Sequence, residues 1–295
     1  MNTLEEKKEN RFFKRRFTDS WFASALLAFL MLLMGQFLGT LIQFIPGIPY
    51  TNAVKTGLMY FEFWGIWATV LLYMAVTKKN RPLIKYIGSG TKGNNWTNLL
   101  LGLLIGAGMN CFCILIACLH NDIYLIFDSF QPIPFVIIIF AVFVQSSAEE
   151  LVCRGFLYQR LRRSYKHPAV AIVGNSALFA ALHLLNDGIT VLSFINILVV
   201  GILFSLMVYY MDSIWCAMAA HAAWNFTQNI IFGLPNSGIT VPFSVFKLDA
   251  STARNSFAYN VGFGIEGTVV ADIVLILACV IMYLWGRNKK KVEAK

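Results

Sequence analysis

Charge is scarce in this chain. Only 13% of its 295 residues are Asp, Glu, Lys or Arg, about half the share of an ordinary soluble domain. No polar stretch is long enough to bury a core of its own, so none reads as a separate soluble domain. Histidine occurs four times. The six cysteines (Cys111, Cys113, Cys118, Cys153, Cys216 and Cys279) all fall within apolar runs, which argues against a disulfide framework or a zinc knuckle. There is no H-E-x-x-H, hence no zincin helix, and no G-x-S-x-G elbow. Ser176 in Gly174-Asn175-Ser176 is followed by alanine. An aspartyl site needs two facing acids, and Asp272 is the only Asp candidate within an apolar run. Paired half-repeats with broken helices, expected of a small transporter, are lacking. The net charge of +9 comes without a basic face interleaved with aromatics, so nucleic acid is not an expected partner.

Apolar sequence fills the rest. Hydrophobic residues make up 58% of the chain, mean hydropathy is +0.64, and the apolar residues come in blocks. Runs at 21–45, 54–76, 96–119, 132–161, 168–185, 189–211, 213–233 and 265–286 each approach the roughly 20 residues that cross a bilayer. The expected class is all-α: a polytopic membrane helix bundle of about eight spans. Residues 1–19 and 287–295 read as basic tails flanking one transmembrane domain at 20–286. Lys and Arg concentrate in those tails, in the 77–95 loop and in the 160–167 turn. The opposite loops hold only Lys55, Lys247 and Arg254. Both termini are therefore expected in the cytoplasm of a multi-pass protein, with the cell membrane as its location. The 234–262 segment, with Pro235, Gly238 and Pro242, reads as an irregular outer loop, a lid or a linker.

Within the fourth run lies Gln145-Ser146-Ser147-Ala148-Glu149-Glu150-Leu151-Val152-Cys153-Arg154-Gly155. Two carboxylates at membrane depth are costly and mark a functional site. Glu150 and Arg154 stand at i and i+4, acid first, the favourable order for pairing on a helix face. Glu149 lies about 100° around the helix, with no base one turn on, and reads as the free, reactive acid. His183 follows Phe179 by one turn, and His221 precedes Asn225 by one turn among small residues that let another helix approach. His120 and His167 read as interfacial; Glu62, Glu266 and Asp272 read as structural, though either glutamate could line a wet cavity. A membrane His or Asn can simply tie helices together. Glu149, His183, His221 and Asn225 on three separate spans fit that account poorly. A carboxylate beside an imidazole can activate water, and a second His with an Asn can stabilise an oxyanion. Glu149, His183 and His221 are equally a zinc set, with zinc as the cofactor; spacing does not choose.

Three motifs stand in order: Glu149-Glu150-Leu151-Val152-Cys153-Arg154 as E-E-x-x-x-R, Phe179 to His183 as F-x-x-x-H, and His221 to Asn225 as H-x-x-x-N. Over about 132–230 the sequence resembles the CAAX-protease and bacteriocin-processing (Abi) family of intramembrane proteases. The resemblance implies that Glu149 and His183 activate water, and that His221 and Asn225 stabilise the oxyanion or hold a metal. It implies that Glu150, Arg154 and Phe179 support them. It also implies an endopeptidase, labelled a metalloprotease or a glutamate enzyme, acting on a peptide or lipid-associated protein substrate. In that family eukaryotic members trim prenylated C-terminal tripeptides, and bacterial members are linked to peptide processing and bacteriocin immunity. The alternative is a non-catalytic membrane scaffold or immunity protein that keeps the fold.

Overall fold

A computed structural model describes residues 19–293. The basic N-terminal tail expected at 1–19 falls, apart from Asp19, outside the described residues, as do the last two residues of the C-terminal tail. Helices α1 (Trp21–Thr40), α2 (Asn52–Phe61), α3 (Trp64–Val76), α4 (Trp96–Leu119), α5 (Pro132–Ser164), α6 (Pro168–Leu182), α7 (Val191–Met211), α8 (Ile214–Asn225) and α9 (Val269–Glu293) follow one another. Each expected run is present. Among the described residues six helical stretches, with α2 and α3 counted as one, are long and apolar enough to cross a membrane; α6 is a shorter apolar helix. The second run is broken, because the chain turns between α2 and α3 at Glu62 and Phe63. The fifth run ends earlier than its hydropathy suggests, with His183 as the residue that closes α6.

Local chemistry sets the helix starts. Ser20, Thr51, Asn95 and Ser213 each accept a backbone N–H of the first turn, and Pro132 and Pro168 occupy first-turn positions where no N–H is needed. Thr190 and Ser193 form a reciprocal capping box at the start of α7. Asp212, in the left-handed region (φ 54°), ends α7 and turns directly into α8.

Two π-helical stretches interrupt the regular period. Leu151–Leu157 lies in the middle of α5, and Phe226–Ile231 extends α8. Both begin immediately after motif residues, Glu150 and Asn225, in keeping with the frequency of such turns at functional sites. Small residues bring α4 and α8 together: a Cβ on Gly106 would lie 2.0 Å from the Ala220 carbonyl oxygen. The close approach expected around His221 is thus supplied by glycines of α4 against alanines of α8. A core of Val152, Phe156, Leu203, Met207, Ala217 and Ala220 joins α5, α7 and α8.

The 234–262 segment is more ordered than expected. β2 (Phe246–Leu248) pairs antiparallel with β1 (Leu125–Phe127) of the loop after α4. Asp122, on that same loop, accepts from Ser256, His120 and Arg254. Burial alone would raise the Asp122 carboxyl, but these hydrogen bonds and the His120 charge outweigh it and hold the pKa below its usual value. A carboxylate depressed in the fold stabilises it above the unfolded pKa and loses that contribution as pH falls through the folded one. Acidification should therefore loosen this clasp first. Amide exchange at residues 254–258 should rise in acid before exchange in α8 does, and Asp122→Asn should abolish the difference. Gly106→Leu should overpack the α4–α8 contact at a cost of roughly 1–3 kcal/mol, read as a lowered thermal midpoint in detergent.

Candidate active site

The site gathers where α5, α6, α7 and α8 meet beneath the 234–262 segment. Glu150 is fully buried, and its Oε1 accepts from Arg154 Nη1 at 2.8 Å. Arg154, also fully buried, donates through Nη2 to the Gly201 carbonyl of α7 at 2.8 Å. Its guanidinium lies 4.7 Å from the Phe179 ring centroid and 5.6 Å from that of Phe204. Phe179 thereby acquires a physical role: it covers the cation that neutralises Glu150.

The same Glu150 oxygen contacts His221 Nδ1 at 3.1 Å. A carboxylate only accepts, so Nδ1 carries the hydrogen and Nε2 is left facing Glu149, 3.9 Å from Oε2. His221 is held between Phe204, stacked at 5.5 Å, and Phe179, edge-on at 5.9 Å. His183 is fixed differently. Its Nδ1 lies 2.8 Å from the Phe179 carbonyl, an acceptor only, which places the hydrogen on Nδ1 and leaves Nε2 as the basic nitrogen. His183 is half-buried at the end of α6.

Glu149 is only partly buried, and its partner is Gln145, whose Nε2 donates to Oε1 at 2.7 Å. The two adjacent acids therefore part as their angular separation predicts: Glu150 into an ion pair, Glu149 toward open space. Asn225 is buried, donating from Nδ2 to Gln145 Oε1 and Ser146 Oγ, each at 3.1 Å. That space is a cavity of about 400 Å³ that Glu149, His183, His221 and Asn225 all line. Phe29, Leu33 and Phe63 of α1 and the α2–α3 turn give it an apolar wall.

Among the described residues no group of three or more His, Cys, Asp or Glu is disposed to hold a metal ion. Glu149, His183 and His221 all line the cavity. The remaining candidates sort as structural groups. Glu62 accepts from Gln36 of α1 and from Gln43 just beyond its end. Asp272 accepts from Asn196, and His120 bonds Asp122. His167 accepts the Ala169 N–H at the start of α6. Glu266 does reach the cavity wall, where it accepts from Trp224, Gln228 and the Ser237 backbone.

Sequence reasoning passed over Gln145 and Asn236. The first was a signal in plain view, an amide one turn before Glu149; the second sits in a loop with no periodicity to draw attention to it.

The pocket lies inside a helix bundle, with a carboxylate, two imidazoles and an amide on its wall. Residues 131–227 match the family model described as type II CAAX prenyl endopeptidase Rce1-like. The match bears out the resemblance read from the three motifs, and it spans all of them. It supports a CAAX-type intramembrane endopeptidase in an integral, multi-pass membrane protein. No curated protein matches the chain.

Removing Arg154 alone would leave the Glu150 charge buried without its partner, a loss of about 3–5 kcal/mol. Arg154→Met should therefore lower the thermal midpoint more than the double change Glu150→Gln/Arg154→Met, in which neither charge remains.

Proposed function

We propose that the protein is an intramembrane endopeptidase that hydrolyses a peptide bond with water activated by Glu149 and His183. The observation carrying this reading is the convergence of Glu149, His183, His221 and Asn225 on one cavity. Glu149 takes a proton from the attacking water; His183, basic at Nε2, holds that water or carries the proton onward to the leaving amine. His221, which gives its Nδ1 hydrogen to Glu150, lies beside Glu149 and donates to the oxyanion from Nε2 once that nitrogen is protonated. Asn225 joins it by turning toward the substrate carbonyl the amide hydrogen now given to Ser146, while its other hydrogen stays on Gln145. Glu150, Arg154 and Phe179 hold this frame.

The apolar wall formed by Phe29, Leu33 and Phe63 suits a peptide that carries a lipid or an apolar segment. A peptide or lipid-associated protein is accordingly the substrate class. The charge distribution supports cytoplasmic termini in the cell membrane, so the basic 160–167 turn between α5 and α6 lies on the cytoplasmic side.

Glu149→Gln and His183→Ala, assayed in membranes on a reporter peptide at equal protein level, should each reduce cleavage by about 10²–10⁴-fold. Cleavage unchanged in both would favour the scaffold reading. The proposed reaction uses no metal, so prolonged chelation of purified protein should leave the rate unchanged; loss restored by zinc would replace the glutamate mechanism with a metal-dependent one.

A further inference from the structure

His221 Nε2 faces Glu149 Oε2 at 3.9 Å, but Oε1 is held by something else. Gln145 Nε2 donates to that oxygen at 2.7 Å. Because a carboxylate accepts only, this bond orients the Gln145 amide, with Nε2 toward the acid and Oε1 away. Gln145 Oε1 accepts from Asn225 Nδ2 at 3.1 Å. That in turn orients Asn225, whose Oδ1 accepts from Asn236 Nδ2 at 3.0 Å. Three side-chain amides run in series from the outer loop to the acid, and each can point only one way.

The loop end of this series is itself firmly held. Asn236 and Ile239 bond each other across a turn whose two central residues, Ser237 and Gly238, both have positive φ (47° and 84°). A Cβ on Gly238 would lie 2.2 Å from the Asp187 carbonyl oxygen, so the turn requires glycine there on both counts. The Ser237 N–H donates to Glu266 Oε2 at 3.2 Å, and its carbonyl accepts from Asn186 Nδ2 at 2.9 Å. Glu266 is in turn held by Trp224 and Gln228, on the extended α8. Asn236 is thus presented to Asn225 by a fixed backbone.

We propose that Gln145 and Asn236 are positioning residues for Glu149, acting through Asn225 in a one-way relay of amides that makes the 236–239 turn part of the catalytic apparatus. This rests on the reading of Glu149 as the base. The physical reason is rotamer control. A glutamate side chain has several rotatable bonds, and Glu149 is only partly packed. The relay fixes one oxygen so that the other stays beside His221.

The series also transmits a single-atom change. In Asn236→Asp an acceptor replaces the donor facing Asn225 Oδ1. Asn225 would relieve the clash by reversing its amide, which presents Oδ1 to Gln145 Oε1. Gln145 would reverse in response and turn its own oxygen on the Glu149 carboxylate.

The test measures kcat and KM of Asn236→Asp, Asn236→Ala, Gln145→Leu and the Asn236→Asp/Gln145→Leu double variant on a reporter peptide in proteoliposomes. Asn236→Asp should lose about tenfold or more in kcat with KM within about twofold. Asn236→Ala, which presents no second acceptor, should lose less. The double variant should lose less than the product of the two single losses, because the step from Asn225 to Glu149 is already cut. Unchanged kcat in Asn236→Asp, equal losses in the Asp and Ala variants, or losses that multiply in the double variant would overturn the relay. Glu149→Gln in the same assay separates the two readings. Its retained cleavage would remove the glutamate mechanism itself, whereas its silence beside a fully active Asn236→Asp would remove the relay alone.

Discussion

The structure depends on one buried ion pair. Glu150 and Arg154 sit a turn apart in α5 with neither side chain accessible, a placement that is strongly unfavourable for either charge alone. Each partner also bonds a different helix: Arg154 the Gly201 carbonyl of α7, Glu150 the His221 ring of α8. Three helices are thereby fixed around a charge pair that cannot relax into lipid. Phe179, from α6, completes the enclosure by covering the guanidinium. Because these contacts also orient His221 and the end of α6, the pair is at once the fold's polar centre and the frame of the site.

The neighbouring acid shows how one helix serves two purposes. Glu149 differs from Glu150 by a single residue, yet the helical rotation takes it out of the pair and into a cavity. Its neighbours are an amide and an imidazole instead of a permanent cation. A carboxylate free of a guanidinium keeps its lone pairs for a proton, which is what general-base chemistry requires. His183 and His221 reach the cavity with Nδ1 committed to a fixed acceptor, a backbone carbonyl in one case and a carboxylate in the other. The two rings therefore enter the site as defined tautomers, with Nε2 available in each.

Much of this could be read from the sequence, because much of it is local. Apolar runs gave the helices, and i, i+4 spacing gave the Glu150–Arg154 pair and the shared face of His221 and Asn225. What escaped depends on residues far apart in the chain. Asn225 meets Gln145 across 80 positions, and nothing in either neighbourhood announces the contact. The break at Glu62 was hidden because neither Glu62 nor Phe63 is a proline or glycine; the amides of Gln36 and Gln43 explain why a carboxylate can sit there. The early end of α6 was hidden because the residues after it remain apolar, and hydropathy does not distinguish a span from an exposed turn. The order of the 234–262 segment rests on Asp122 and β1, more than a hundred residues earlier.

The π-helical stretch in the middle of α5 carries a further implication. A widened turn inserts about one residue without adding a turn, so it acts as a phase adjuster between two halves of one rod. Above it, the helix must aim Glu149 and Glu150 into the bundle. Below it, the same helix must aim Arg160 at Asp19 beside α1. A uniform helix would tie those two directions together through a single period. With the adjuster between them, substitutions that re-aim the basic end need not rotate the acids, and the lower rim of the molecule can change while the cavity keeps its alignment.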